Sequence, residues 1–251
     1  MKKIALLCVL VVFLITFVVS CGGKTSLEGK VVGGATSLEG RELAGTTSLE
    51  GKVVDGKGQP LARVKVVADL SQTIKGYDKS ETTTGADGVF TFKELFPSSD
   101  YQLIFSSDRW TTEKKMKTNS GPERRTKMLP QPVMIRFMDF KEGVVSDTKT
   151  DLMWAVKDSG SPMNWASAKS YCENYRGGGY TGWRMPTQNE LVGLYAGNAH
   201  KGSVKITRNL LWAAETSRYT AAFFNFSSGF RGFTSQEIAG DMRALPVRSG
   251  K

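Results

Sequence analysis

The stretch GGGYTGWRMPTQNEL, residues 177–191, constrains this chain more than any other. Three glycines lead into Trp183-Arg184-Met185-Pro186-Thr187 and then into a helical pattern. A phosphate-binding loop of the Walker type needs Gly-Lys followed by Ser or Thr at the helix start; the lysine and the hydroxyl are missing at that point. A dinucleotide loop follows a strand, whereas the preceding segment NWASAKSYCENY has a helical period. What the stretch supplies is a helix start. Thr187 and Glu190 have the spacing of a capping box, in which the hydroxyl bonds the N–H at 190 and the carboxylate returns to the N–H at 187. Pro186 and Leu191 stand where a hydrophobic staple would clamp the entry. Glu190 is thereby committed to capping rather than to acid catalysis.

The helix before the glycines is expected to start at Asn164, with Trp165, Ala168, Cys172 and Tyr175 at three- and four-residue steps along one apolar face. Cys172 reads as a small buried hydrophobe, because no His or basic residue is paired with it in sequence. His200 is the only histidine, which removes His-containing triads and two-His or His-Cys metal sites. No metal, cofactor or catalytic residue is expected, and the chain is read as a non-enzyme.

The N-terminus has the form of an export signal. Lys2 and Lys3 precede Ile4–Val19, apolar apart from Thr16, and the run ends Val18-Val19-Ser20-Cys21. That ending resembles a bacterial lipobox, so residues 1–20 read as a lipoprotein signal peptide and Cys21 as the lipidation site; the alternative is an uncleaved membrane anchor, for which the apolar run is shorter than the roughly 20 residues that span a bilayer. Gly22 is not the aspartate associated with inner-membrane retention, which points to a lipid anchor in the outer membrane of a cell envelope. Past residue 20 the chain carries 32 basic and 24 acidic residues. A nucleic-acid partner is not expected for an exported chain; the favoured reading of the mild positive charge is an ordinary soluble surface, with anionic polysaccharide or lipid head groups as the partners it would suit.

A repeat of period eleven follows: TSLEGKVVGGA from Thr25, TSLEGRELAGT from Thr36 and TSLEGKVVDGK from Thr47. Three short copies cannot build a core of their own. The third continues into a patterned domain, and the first two read as a flexible tether over residues 21–46, with strand exchange as the alternative use. Residues 47–132 read as short strands with turn punctuation: alternation around DGKGQP, Asp87-Gly88 before VFTF, then YQLIF. A basic run over 109–127, with Lys114, Lys115 and Lys117, is expected as one hairpin around Asn-Ser-Gly-Pro, its lysines protecting a sheet edge or meeting an anionic polymer. Pro130 and Pro132 mark an extended junction, and residues 133–251 form the second domain.

Two resemblances follow from these residues. GKVVDGKGQPLARVKV, TTGADGVFTF and YQLIF resemble the carboxypeptidase regulatory-like domain, which implies an all-β sandwich of transthyretin or immunoglobulin type, used as a spacer or binding accessory. DTKTDLMWA, NWASAKSYCENY, GGGYTGWRMPTQNEL, LWAAETS, AAFFNFSSG and RALPVRSG, in that order, resemble the Lcl C-terminal domain family, named for a collagen-like bacterial adhesin. Here Met185 replaces the family's Leu, Asp151 replaces a Gly, and a second cysteine near Val247-Arg248 is absent. The resemblance implies an α+β, C-type-lectin-like fold related to the formylglycine-generating enzyme. That enzyme's cysteine pair and the calcium-lectin motifs are both missing. The implied function is binding or adhesion to a protein or glycan outside the cytoplasm. Alternatives are a structural envelope component and, less favoured, an oxidase of the formylglycine-generating type. Tyr219, Phe230, Arg231 and Phe233, late in the chain around SSGFRGF, are the candidate ligand contacts, since aromatic residues with Arg make binding hot spots. The sequence leaves the oligomeric state open.

Overall fold

A computed structural model describes residues 45–140 and 142–250. The signal segment, Cys21 and the first two repeat copies lie outside the described residues. The described part is mostly β-sheet, with an immunoglobulin-like sandwich first. Its strands are β1 (Thr47–Val54), β2 (Lys65–Leu70), β3 (Lys79–Thr83), β4 (Val89–Leu95), β5 (Asp100–Ser107), β6 (Trp110–Asn119), β7 (Thr126–Met128) and β8 (Val133–Met134). One sheet has the order β4-β1-β7, with β8 continuing along β1, and the other runs β3-β2-β5-β6.

Period-two alternation builds this half. Val66, Ala68 and Leu70 of β2 and Tyr101, Leu103 and Phe105 of β5 all point inward and are buried. Phe90 meets Phe92 and Phe105 edge to face at centroid distances of 6.0 and 5.7 Å. The Asp-Gly turn forms as its sequence requires. Asp87 Oδ1 accepts from Val89 N–H at 3.0 Å, and Gly88 has φ +76°, where a Cβ would lie 2.5 Å from the Val53 carbonyl oxygen. The DGKGQP turn is held by Asp55 Oδ1, which accepts from the N–H groups of Lys57 and Gln59 at 2.8 and 2.9 Å.

One expectation is corrected and one is refined. The basic run is not a hairpin: β6 is the edge of one sheet, while β7 crosses to pair with β1 in the other. Its cations are therefore split between the two sheets, and Lys114, Lys115 and Lys117 lie exposed on β6. The physical reason is Ser120, whose buried hydroxyl donates to the Phe96 carbonyl at 2.7 Å and pins the chain at a corner. The proline-bearing segment, expected as an extended junction, is extended but docked. Leu129 N–H donates to the Glu50 carbonyl and Ile135 N–H to the Val54 carbonyl, both at 2.8 Å, and Val133 and Ile135 enter the sandwich core.

The chain then enters a second set of elements without a gap. β9 (Phe137–Phe140), β10 (Val144–Asp147) and β11 (Leu152–Ala155) form a sheet closed by β15 (Val247–Ser249), in the order β15-β11-β10-β9. Helices α1 (Trp165–Glu173) and α2 (Gln188–Ala196) precede a second sheet, β12 (Leu210–Ser217), β13 (Thr220–Asn225) and β14 (Arg231–Ser235), in sequential order. Leu191 and Leu194 of α2 share a core with Phe224 and Ala222 of β13. Ala168 and Cys172 of α1 share another with Trp212 and Ala221. Since Ala221 and Ala222 point to opposite faces, the β12–β14 sheet lies between the two helices. Thr112 Oγ1 accepts from Asp139 N–H at 2.8 Å, and Thr148 Oγ1 from Gly56 N–H at 2.7 Å. These bonds join the sandwich to the second half, and all described residues fall in one compact unit.

Candidate ligand-binding surface

The GWRMPT stretch forms the frame. Trp183 is buried, donates Nε1–H to the Tyr180 carbonyl at 3.0 Å and meets Tyr175 edge to face at 4.9 Å. Arg184 pairs by backbone with Val247 in both directions, at 2.8 and 3.0 Å, and its guanidinium holds Glu190 at 2.8 Å. The capping box is complete: Thr187 Oγ1 accepts from Glu190 N–H and Glu190 Oε2 from Thr187 N–H. Burial pushes the Glu190 carboxyl up, but Arg184 and the Thr187 N–H outweigh it and hold the group below its ordinary value. Gln188 N–H donates to the Glu215 carboxylate at 2.9 Å, so a second acid faces the positive end of α2.

Beside this frame lies a cleft of about 290 Å³, lined by Asp147, Thr150, Leu152 and Trp154 from the β10–β11 hairpin and by Asn189, Glu190 and Gly193 from α2. Asp147 is buried and bidentate with Arg136, at 2.7 Å to each oxygen. Arg136 also donates to the Gly193 carbonyl at 3.1 Å. The indole N–H of Trp154, fully buried, has no hydrogen-bond partner among the described residues. A larger open groove, about 560 Å³, follows α1 past Ser167, Ser170, Tyr171 and Asn174.

Asn189 links the smaller cleft to the sheet edge: its Oδ1 accepts from Arg231 at 3.0 Å. Arg231 starts β14, whose outer edge pairs with no strand among the described residues. Asn225 N–H donates to the Phe230 carbonyl and Gln236 N–H to the Tyr219 carbonyl, which sets the register. The two-residue alternation of antiparallel pairing then turns the N–H and C=O of Arg231 and Phe233 outward. Aromatic rings flank this edge on both faces. Phe230 packs beside Phe223 at 6.0 Å on the α1 side, over Gly232, where a Cβ would lie 2.9 Å from both rings. Phe233, opposite Ala222, lies on the α2 side. Phe230 and Phe233 are 59% and 53% exposed.

Three of the four candidate contacts are thus brought together. The segment around them is a tight turn running into a strand: Asn225 Oδ1 accepts from Ser227 N–H and Oγ, Gly229 takes φ +74°, and the chain goes straight into β14. Tyr219 stands apart. It is 86% exposed at the β12–β13 turn, at the opposite end of β13, about 20 Å from Phe230 at roughly 3.4 Å per residue. Sequence reasoning missed Asn189, Asp147, Thr150 and Trp154. The sequence VVSDTKTDLMWA reads as a strand, a polar turn and a second strand, but nothing in it says that its turn faces α2.

Cys172 is fully buried, and burial followed by the nearby Glu173 charge pushes its thiol up to about 12. It is not a thiolate at neutral pH. His200 stacks on Tyr195 at 5.1 Å, and burial followed by the Lys201 charge lowers its pKa. No group of three or more His, Cys, Asp or Glu residues is placed to hold a metal ion among the described residues.

Comparison with known proteins gives two partial matches. Residues 48–127 match the family model for the carboxypeptidase regulatory-like domain. Residues 143–248, which hold the cleft and the β14 edge, match that for the Lcl C-terminal domain. No curated protein matches the chain.

Proposed function

We propose that this chain is a lipid-anchored cell-envelope protein that binds a protein or glycan outside the cytoplasm through its C-terminal half. The observation that carries this reading is the β14 edge. It combines outward backbone groups, Phe230 and Phe233 on either face, and Arg231 leading to the polar cleft through Asn189. Aromatic and Arg side chains of this kind dominate binding energy at interfaces, and an unpaired strand edge accepts an extended partner. On this reading the second half is a C-type-lectin-like α+β domain and the sandwich is its spacer. Lipid on Cys21 holds the chain in the outer membrane.

The test is binding of the purified full chain to an array of glycans and extracellular matrix proteins, with Phe230→Ala/Phe233→Ala in parallel. A ligand lost at least tenfold in the double variant, at unchanged stability, supports the reading; equal binding by both chains removes the edge from it. Palmitate labelling that survives Cys21→Ala would remove the lipid anchor. An oxidase of the formylglycine-generating type is disfavoured by the buried, protonated Cys172.

A further inference from the structure

The β12–β14 sheet has two edges, and the chain treats them differently. The β12 edge is covered: Trp212 N–H donates to the Arg243 carbonyl at 2.9 Å and Ala214 N–H to the Pro186 carbonyl at 2.8 Å. The β14 edge has no strand beside it among the described residues. Natural sheets protect open edges with charges, above all lysine, with proline or with bulges. The sandwich follows that rule. Its edge strand β6 carries Lys114, Lys115 and Lys117, all exposed, and the opposite edge β3 carries the exposed Lys79 and Glu81. β14 does not. Arg231-Gly232-Phe233-Thr234-Ser235 holds one charge, at its first position, and its register on β13 runs without a shift.

This open edge is complementary to itself. The N–H and C=O groups of Arg231, Phe233 and Ser235 point away from β13, by the alternation that the Asn225–Phe230 and Gln236–Tyr219 bonds fix. A second strand of the same sequence, laid antiparallel and centred on Phe233, sets Phe233 opposite Phe233 and Arg231 opposite Ser235. That register uses the whole strand and satisfies the outward groups of both copies. The facing aromatic rings make a favourable cross-strand pair. The two arginines stay about 14 Å apart along the strands, at roughly 3.4 Å per residue, beyond the screening length of roughly 8 Å at physiological salt. A register centred on Arg231 would set arginine against arginine. A foreign strand would have to bring a free edge of its own, and this chain already carries one.

We infer that β14 is a self-association edge, at which two copies of this chain pair antiparallel about a two-fold axis through Phe233 and join their β12–β14 sheets into one. The inference rests on the reading of β14 as a docking edge and names its occupant. A two-fold axis perpendicular to the sheet keeps the α2 faces of both copies on the same side. The clefts beside the two α2 helices are then carried on one side of the joined sheet. A ligand with repeated units engages both, and avidity adds to the affinity of each.

The paired edge is short, well below the roughly 1,200 Å² buried in stable complexes, so the dimer is weak in dilute solution. Sedimentation equilibrium of the full chain from about 10 μM to about 1 mM should show a reversible monomer–dimer equilibrium. Phe233→Lys should weaken it at least tenfold, and Tyr219→Lys should leave it unchanged. A chain that stays monomeric throughout overturns the inference, as does a dimer that Phe233→Lys weakens no more than Tyr219→Lys. Register is read by a disulfide. In chains carrying Cys8→Ala/Cys21→Ala, with Cys172 buried, Arg231→Cys and Ser235→Cys chains mixed in equal amounts should form mainly the mixed link. Opposed Cα atoms of a hydrogen-bonded pair lie about 5.5 Å apart, within the span of a disulfide. Mixed links no more frequent than random collision gives also overturn the inference. Failure here is distinct from failure of the ligand reading. A ligand that needs Phe230 and Phe233 on a chain that stays monomeric removes self-pairing alone, whereas a dimer in the predicted register that binds nothing on the array supports self-pairing and removes the ligand.

Discussion

The two halves of this chain hold themselves together by different means. The sandwich is held by alternation: Val66, Leu103, Phe105 and Phe90 bury one face of each strand, and its turns carry their own Asp and Gly residues. The C-terminal half has short strands and short helices, and its elements are tied by polar hubs. Asp147 binds Arg136, Thr150 Oγ1 and Lys149 N–H. Asp158 accepts from Thr207 Oγ1 at 2.8 Å, and Glu190 joins Arg184 to the start of α2. A core built by alternation degrades gradually as methylenes are removed. A hub fails when one partner goes, because the other is left charged and dry.

The largest expected effect tests that contrast. Asp147→Ala strands the Arg136 guanidinium, whose side chain is 14% exposed, and should lower unfolding free energy by about 3–5 kcal/mol. Arg136→Met/Asp147→Leu should recover part of that loss, since replacing both partners of a buried pair is often near neutral. In the sandwich, Leu103→Ala should cost about 2–5 kcal/mol through its cavity. Urea unfolding of the four chains measures all of this. If the double hub variant is worse than Asp147→Ala, the two halves do not differ in the way described.

This contrast also explains how much could be read in advance. The alternating strands of 47–105, the Asp87-Gly88 turn and the Thr187–Glu190 cap were legible because each is local: two-residue periodicity or a four-residue spacing carries it. The hubs were not. Arg136 and Asp147 meet at eleven residues' separation, and Arg231 reaches Asn189 across 42; no spacing rule covers such pairs. The same limit explains the basic run misread as a hairpin, since β7 finds its partner in β1, far upstream. At the candidate β14 edge, residue types pointed to Phe230, Arg231 and Phe233 but grouped Tyr219 with them. Only the register of β13 separates the two ends of that sheet.

A smaller effect concerns the cap. Glu190 has its carboxyl held below the ordinary value in the folded chain. A depressed carboxyl stabilises the fold above its unfolded pKa, and that contribution is lost as pH falls below about 4.5 toward the folded value. Arg184 is 44% exposed, so solvent weakens the pair. Thr187→Ala should cost about 1 kcal/mol by removing the cap, and Glu190→Gln should flatten the acid limb of the stability profile. Thermal melts from pH 7 to pH 3 give both. An acid limb as steep in Glu190→Gln as in the parent chain would assign it to other carboxylates.

The smallest effect on stability is expected at the β14 edge, where it would be most informative. Phe233 is more than half exposed and lies opposite Ala222 at the end of the sheet, so Phe233→Lys should change unfolding free energy by less than about 0.5 kcal/mol. A lysine on an edge strand also discourages pairing with another strand, so the variant should lose any partner that adds to this edge while folding normally. Tyr219→Lys, about 20 Å away along β13 at roughly 3.4 Å per residue, has the same exposed aromatic character and lies off that edge. If binding falls with Phe233→Lys and not with Tyr219→Lys, the edge recognises its partner through strand geometry. If both fall equally, exposed aromatic area alone is responsible, and the register that separates the two residues has no bearing on recognition.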